Sequence, residues 1–309
     1  MTNSKSVVIL GAGAWGTALA QLVSINGHQV RIWSRGSGLE LAPAILDADI
    51  IVSAISMKGV REVIMQLEGI KLSDTAIFVT ATKGLDPQTT CTPSQILQAA
   101  FPSHPVVVLS GPNLSKEIEL GLPAATVVAS YSATAAESVQ LVFSSPRFRV
   151  YTNLDPLGVE LGGTLKNVIA IAAGACDGLQ LGTNAKAALV TRGLTEMVRV
   201  GVSWGAKTET FYGLSGLGDL LATCNSSLSR NYQIGYQLAC GKTLSDILTH
   251  LQGTAEGINT CSVLMARAKA QNIEVPITEQ VYRVLHNEST PRQALEELML
   301  RHIKPEYYN

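Results

Sequence analysis

The chain has 309 residues, 46% of them hydrophobic, enough for two domains of ordinary size and against a disordered polymer. With 23 basic against 24 acidic side chains there is no net field to recruit nucleic acid or an anionic membrane, so an anionic partner has to be met by a local cluster, as a small ligand is. The five cysteines are scattered without C-x-x-C spacing and the five histidines form no helix-spaced pair, which argues for reduced thiols in a cytoplasm and against a disulfide framework or a metal site.

The opening apolar run, Val7 to Leu10, is too short for a signal peptide or a membrane span, so no membrane insertion is expected. It leads into "VVILGAGAWGTALAQLV", where Gly11, Gly13 and Gly16 form G-x-G-x-x-G between a strand and a helix. The glycines permit a tight turn and close backbone approach, and the helix start offers N–H groups to a pyrophosphate, so a dinucleotide site is expected. Trp15 either stacks on the cofactor or fills the turn. At the end of the second strand, "QVRIWSRGSG" carries Ser34 and Arg35 where an NAD enzyme places an acidic residue on the ribose. A guanidinium suits a 2′-phosphate and favours NADP, the other reading of Arg35 being a solvated turn residue.

The runs "DIIVSAIS", "AIFVTATKG", "PVVVLSGPN" and "ATVVAS" are apolar throughout, as strands covered on both faces are, and predict a parallel sheet wrapped by helices. Ligands sit beyond the carboxyl ends of such strands, which places Ser56 and Lys83 to meet cofactor or substrate. The texture changes near Tyr151. Asp155 and Pro156 read as an N-cap and first helical residue, and helices come after: "TRGLTEMVRVGVSWG", Arg230 to Cys240 closed by Gly241, "TLSDILTHL" with Thr243 and Asp246 at capping-box spacing, and "TPRQALEELML".

Within the helical half, "LGGTLKNVIAIAAGACDGL" sets Lys166 on a stripe with Ile169, Ala170, Ala173 and Gly174. Two readings are open: a stem whose charge snorkels to water, or a desolvated lysine held for proton transfer. Further on, "GLSGLGDLLATC" offers Asp219 and Thr223, and "NSSLSRNYQIG" places Ser229, Arg230 and Asn231 at a helix start suited to a phosphate. Cys224 reads as a small packed residue and not a nucleophile.

The series "GAGAWGTALA", "ATKGL", "SGPN", "VYTN", "LGGTLKNVIAIAAGACDGL", "NAKAALVTRGLTEM", "GLSGLGDLLATC", "SRN", "AEG" and "VPITEQVY" resembles, in order and over nearly the whole chain, the bacterial NAD(P)-dependent glycerol-3-phosphate dehydrogenases. The resemblance implies an α/β Rossmann-type doubly wound sheet over residues 1–151, and over 152–309 an all-α substrate domain of the 6-phosphogluconate dehydrogenase C-terminal-like kind. It implies reduction of dihydroxyacetone phosphate to sn-glycerol 3-phosphate by NADPH or NADH, without a metal, for phospholipid synthesis in the cytoplasm, by a homodimer.

Carried over to this chain, Lys166 is the proton donor or acceptor, its pKa drawn down by the apolar helix and by Lys83 and Arg230, and Asp219 orients it with Thr223 one turn later. Asn167 and Lys83 hold substrate oxygens, Ser229, Arg230 and Asn231 meet the substrate phosphate or the cofactor, and Gly111 and Asn113 lie against the substrate. The implied cofactor contacts are Gly11, Gly13, Ala14, Trp15, Gly16, Arg35, Ser56, Lys83, Ser115, Arg230 and Glu256. On the residues alone, Asp219 also reads as a helix cap, Glu256 as a loop carboxylate and Asn113 as a turn residue.

Two departures stand out. Bacterial members usually carry serine or threonine where Asn113 stands, and the segment "RGSGLELAPAILD", Arg35 to Asp47, is far shorter than the family's connection, which includes an extra helix and strand. Two alternatives are set against this reading. A β-hydroxyacid dehydrogenase or ketopantoate reductase places asparagine one turn after the lysine, where this chain has Ala170, and lacks the "SRN" cluster. A non-catalytic NADP-binding sensor needs neither Lys166 nor Asp219.

Overall fold

The computed structural model describes residues 4–251, 253–303 and 305–306. In its first half the short β-branched runs become strands and the stretches between them helices: β1 (Ser6–Leu10), α1 (Ala14–Ile25), β2 (Gln29–Trp33), α2 (Leu41–Ile45), β3 (Ile50–Ser53), α3 (Met57–Glu68), β4 (Ile77–Thr80), α4 (Pro93–Ala100), β5 (Val106–Ser110), α5 (Ser115–Glu119), β6 (Ala124–Ala129), α6 (Ala133–Phe143) and β7 (Phe148–Asn153). They form one sheet in the order β2-β1-β3-β4-β5-β6-β7.

Alternate residues of the same strands feed opposite cores, which is why the runs carry no polar gaps. Val7, Ile9, Val52 and Val107 pack with Leu19 and Val23 of α1 and Val139 and Phe143 of α6. Val8, Leu10, Ile51 and Phe78 pack on the other side with Val60, Ile64 and Leu67 of α3 and Leu97 of α4. The sheet is doubly wound as the runs predict, but it is not parallel throughout. Strands β1 to β5 run parallel, whereas β6 is antiparallel to β5, and β7 is parallel to β6. Strand β7 alternates buried and exposed residues over its first four positions, as an edge strand with one covered face does. The other edge is β2, and the short 35–47 connection holds only a turn and α2 before the chain enters β3.

The second half is helical among the described residues: α7 (Pro156–Gly178), α8 (Gly182–Ser203), a 3₁₀ turn (Thr208–Tyr212), a π-helical turn (Leu214–Gly218), α9 (Asp219–Cys224), α10 (Arg230–Ala239), α11 (Leu244–His250), α12 (Glu256–Ala270), α13 (Pro276–Leu285) and α14 (Pro291–Met299). Helix α7 organises it. Asp155 caps α7 by accepting from Gly158 N at 3.0 Å and also ties down Lys207 N at 2.9 Å and the Thr210 hydroxyl at 2.7 Å. Its apolar composition and length match a membrane span, yet 89% of its most apolar window is buried in the fold, where it serves as the core helix.

Two interfaces of α7 position the site. Val159 packs on Val108 and Val127, so the helical half docks on the β5–β6 end of the sheet. Against α10 the approach is backbone to backbone: a Cβ on Gly174 would lie 2.0 Å from Tyr232 O, and one on Gly235 1.8 Å from Ile171 O. An apolar recess of about 100 Å³ lies on the far side of α7, lined by Ile171, Cys176, Leu238 and Val281.

Candidate active site

Lys166 lies mid-way along α7 and is 6% exposed, so the snorkelling alternative does not hold. Its ammonium donates to Asp219 Oδ1 at 2.8 Å and to the hydroxyl of Thr223. Thr223 in turn donates to Asp219 Oδ1 at 3.2 Å. Lys83, in the loop after β4, donates to the other carboxylate oxygen, Oδ2, at 2.6 Å. One carboxylate thus holds two lysines from opposite halves of the molecule. None of these residues lines the apolar recess.

Asp219 opens α9 directly after the π-helical turn, and its side chain is spent on the lysines and not on capping. That turn leans on α7 at a glycine, since a Cβ on Gly162 would sit 2.8 Å from Ser215 O. π-Turns cluster at functional sites because the extra residue re-aims the side chains just beyond it, here a carboxylate.

Burial sets the protonation of this cluster. It pushes the Lys166 ammonium from 10.5 down to about 8, against the attraction of Asp219 and with the repulsion of Lys83. Burial works to raise Asp219, but the two ammonium groups outweigh it and hold the carboxyl below its ordinary value. Arg230, expected to help depress Lys166, does not act there. Burial lowers its own pKa, and its charge is opposed to Glu256. Cys224 is fully buried and its thiol is pushed up to about 12, which removes it as a nucleophile.

A second polar chain runs beside the first. Gly257 N donates to Asn231 Oδ1 at 3.1 Å, and Asn231 Nδ2 donates to Asn167 Oδ1 at 2.9 Å. A backbone N–H can only donate, so the order is settled from that end and Asn167 is left presenting its NH₂, which lies 3.5 Å from Gly163 O. A Cβ on Gly257 would lie 2.6 Å from Asn231 Oδ1, so the glycine of "AEG" makes room for this chain. Glu256 is not a loop carboxylate: it opens α12 and accepts from Met57 N, at the start of α3 in the sheet half, at 3.1 Å. Ser229 caps α10, accepting from Tyr232 N at 3.2 Å.

The nucleotide end is built from the first βα turn. Gly11 has φ +122° and a Cβ there would lie 2.6 Å from Ala54 O; one on Gly16 would lie 2.0 Å from Gly11 O. Gly13 is the N-cap of α1, has open space where a Cβ would be, and leaves the first N–H groups without a side-chain cap. These features fit a dinucleotide pyrophosphate. Ala14 is exposed on the first turn, while Trp15 is half-buried against the sheet core. Ser56 precedes α3 as its N-cap and Ser115 opens α5. Gly111 follows β5 with a Cβ position 2.9 Å from Thr126 Cα, and Asn113 donates to Ala125 O at 3.0 Å while its own Oδ1 is buried without a partner among the described residues.

Arg35 stands apart from the buried cluster on an exposed corner, where it pairs with Glu62 Oε2 at 3.0 Å. Glu62 carries no sequence signal for this role. Ser110, buried against Gly163 beside Lys83, is a further residue to which the motifs assign no role, and its sequence signal is weak: it ends an apolar strand, as Ser56 and Lys83 follow theirs. What the geometry offers chemically is a dry ammonium, oriented by a carboxylate and a hydroxyl, with a pKa low enough to exchange a proton near neutrality.

Comparison with known proteins agrees over the whole chain. Residues 155–296 match the family model described as NAD-dependent glycerol-3-phosphate dehydrogenase C-terminus, and residues 6–39 and 37–136 match its N-terminus counterpart. Glycerol-3-phosphate dehydrogenase [NAD(P)+] of Trichormus variabilis is 72% identical over 305 residues, 99% of each chain. That of Synechocystis sp. is 60% identical over 301 residues, 97% of this chain and 95% of the relative. A crystal structure of glycerol-3-phosphate dehydrogenase from Coxiella burnetii superposes with a TM-score of 0.92 at 34% identity, covering 96% of this chain and 99% of the other.

Proposed function

The chain belongs to the NAD-dependent glycerol-3-phosphate dehydrogenase family and is an NAD(P)-dependent oxidoreductase, and we propose that the Lys166–Asp219–Thr223 cluster is its proton-transfer centre. The reaction is the reversible reduction of dihydroxyacetone phosphate to sn-glycerol 3-phosphate. A nicotinamide dinucleotide held by the turn of Gly11, Gly13, Ala14, Trp15 and Gly16 supplies the hydride when bound. Lys166 gives its proton to the carbonyl oxygen as the carbon is reduced, and recovers it in the oxidation direction.

Asp219 keeps the Lys166 ammonium aimed, and Thr223 holds it from the second side. Lys83 and the NH₂ of Asn167 take substrate oxygens, with Gly111 and Asn113 beneath. Ser229, Arg230 and Asn231, at the start of α10, receive the phosphate, Asn231 also fixing Asn167. Ser56, Lys83, Ser115, Arg230 and Glu256 border the cofactor. Residues 1–151 are the nucleotide-binding domain and 152–309 the substrate domain, with Lys83, Gly111 and Asn113 reaching the substrate from the first and Arg230 and Glu256 the cofactor from the second. NADPH is the favoured reductant, supported by Arg35, whose exposed pairing with Glu62 is weak enough for a 2′-phosphate to replace. The setting is a cytoplasmic homodimer supplying phospholipid synthesis.

The single observation that carries this reading is the buried Lys166 held on Asp219. The test is loss of NADPH absorbance with dihydroxyacetone phosphate and not with a 2-keto acid, the substrate class that would mark a ketopantoate-reductase activity. Lys166→Met is expected to keep NADPH binding and lose turnover by several orders of magnitude. A variant with near-normal kcat would remove the assignment.

A further inference from the structure

One polar group in the site still lacks a role. Ser110, the last residue of β5, is 3% exposed, and its hydroxyl has no hydrogen-bond partner among the described residues. Buried hydroxyls are usually paired, and although those of Thr80, Thr126 and Thr260 are also unpaired among the described residues, Ser110 combines an unpaired hydroxyl with a strand end that meets Lys83 and the helix carrying Lys166. Its position is inside the polar cluster. A Cβ on Gly163 of α7 would lie 2.3 Å from Ser110 Oγ and 3.3 Å from Lys83 Cε, so hydroxyl and lysine flank one point on the helix. One turn further along the same helix come Lys166 and Asn167.

Dihydroxyacetone phosphate has three kinds of oxygen. The carbonyl oxygen belongs to Lys166 and the phosphate to the start of α10, which leaves the free hydroxyl at the opposite end. We propose that Ser110 hydrogen-bonds that hydroxyl beside Lys83, and so makes the site prefer dihydroxyacetone phosphate over its deoxy analogue, hydroxyacetone phosphate. This rests on the proposed reduction of dihydroxyacetone phosphate. A site built to pair a substrate hydroxyl rejects an analogue lacking it, because the protein's own group is then left unpaired in the dry site.

The test compares Ser110→Ala with the unmodified protein on both compounds, taking hydroxyacetone phosphate as a competitive inhibitor if its turnover is too slow to follow. The expected result is a fall of about 10-fold in kcat/KM for dihydroxyacetone phosphate with little change for the deoxy analogue. Equal losses on both, or none on either, overturn the role of Ser110. Failure of the unmodified protein to reduce dihydroxyacetone phosphate overturns the underlying activity instead. The ligand-free variant is expected to melt no lower than the unmodified protein, since an orphan hydroxyl contributes nothing before substrate binds. If the alanine variant does not fold, the near-isosteric Ser110→Cys must show the same selective loss, and an unselective effect there overturns the proposal equally.

Discussion

Two neighbours of opposite sign tune Lys166, and each has a distinct signature. With the ammonium pushed down to about 8, kcat/KM for the ketone falls as pH rises through that value, because only the protonated form donates; for the alcohol it rises over the same interval. Removing the charge of Asp219 takes away the attraction that supports the ammonium, so Asp219→Asn moves both limbs to lower pH. Lys83→Gln removes a repulsion and moves them to higher pH. Initial rates in both directions across roughly pH 6 to 10, with about 1 unit as the smallest informative shift, check this. Shifts of the same sign in the two variants would mean that their charges do not set the lysine.

At the scale of elements, the site depends on what α7 touches. Glu160, 2% exposed, accepts from Ser94 N at 2.9 Å and from the Ser94 hydroxyl at the start of α4, joining the helical half to the sheet half. Burial raises its carboxyl from 4.5 to about 7. A raised carboxylate binds its proton more tightly folded than unfolded, so its contribution is full below about 4.5 and is lost as pH rises through about 7. Glu160→Gln has no such proton to lose. The melting temperature of the unmodified protein therefore declines relative to the variant between these pH values, and parallel curves would contradict it.

The α7–α10 contact sets where Ser229, Arg230 and Asn231 stand. A methyl at Gly235 would lie 1.8 Å from Ile171 O, so Gly235→Ala forces the helices apart, at a cost of about 1 to 3 kcal/mol for an overpacked core. Both the melting temperature and the affinity for the phosphorylated substrate are expected to drop. A loss of stability with unchanged KM would show that the start of α10 does not hold the substrate.

Across the whole molecule the sheet half and the helical half are joined by polar links that include Lys83 on Asp219, Met57 N on Glu256, and Ser94 on Glu160. The first of these lies in the site itself, so the site exists only when the halves are docked. At the far edge, β2 is the last strand and Arg35, just beyond it, is exposed and paired with Glu62 at the surface. Arg35→Ala is expected to raise KM for NADPH and leave that for NADH nearly unchanged, while Glu62→Gln, freeing the guanidinium, lowers KM for NADPH. An unchanged ratio of the two cofactors in both variants would end the 2′-phosphate assignment.

Much of the fold and part of the site were legible in the chain because the causes are local. Apolar runs specify covered strands, G-x-G-x-x-G specifies a turn in which Gly11 and Gly16 leave no room for a side chain, and Asp155 and Pro156 specify the start of α7, whereas a lysine among alanines and isoleucines leaves two readings open until its burial decides between them. What only the tertiary structure decided involves partners far apart in sequence. Strand direction at β5–β6 depends on how the 111–123 connection returns and not on the composition of either strand. Arg230 is opposed to Glu256 instead of Lys166 because helices α10 and α12 pack within the helical half, and Lys83 reaches Asp219 across 136 positions because the two halves dock; no spacing rule gives either. Ser110 has a signal only as the end of a strand; that its hydroxyl is alone among the described residues, against Gly163 and Lys83, is a property of the packed interface between β5 and α7.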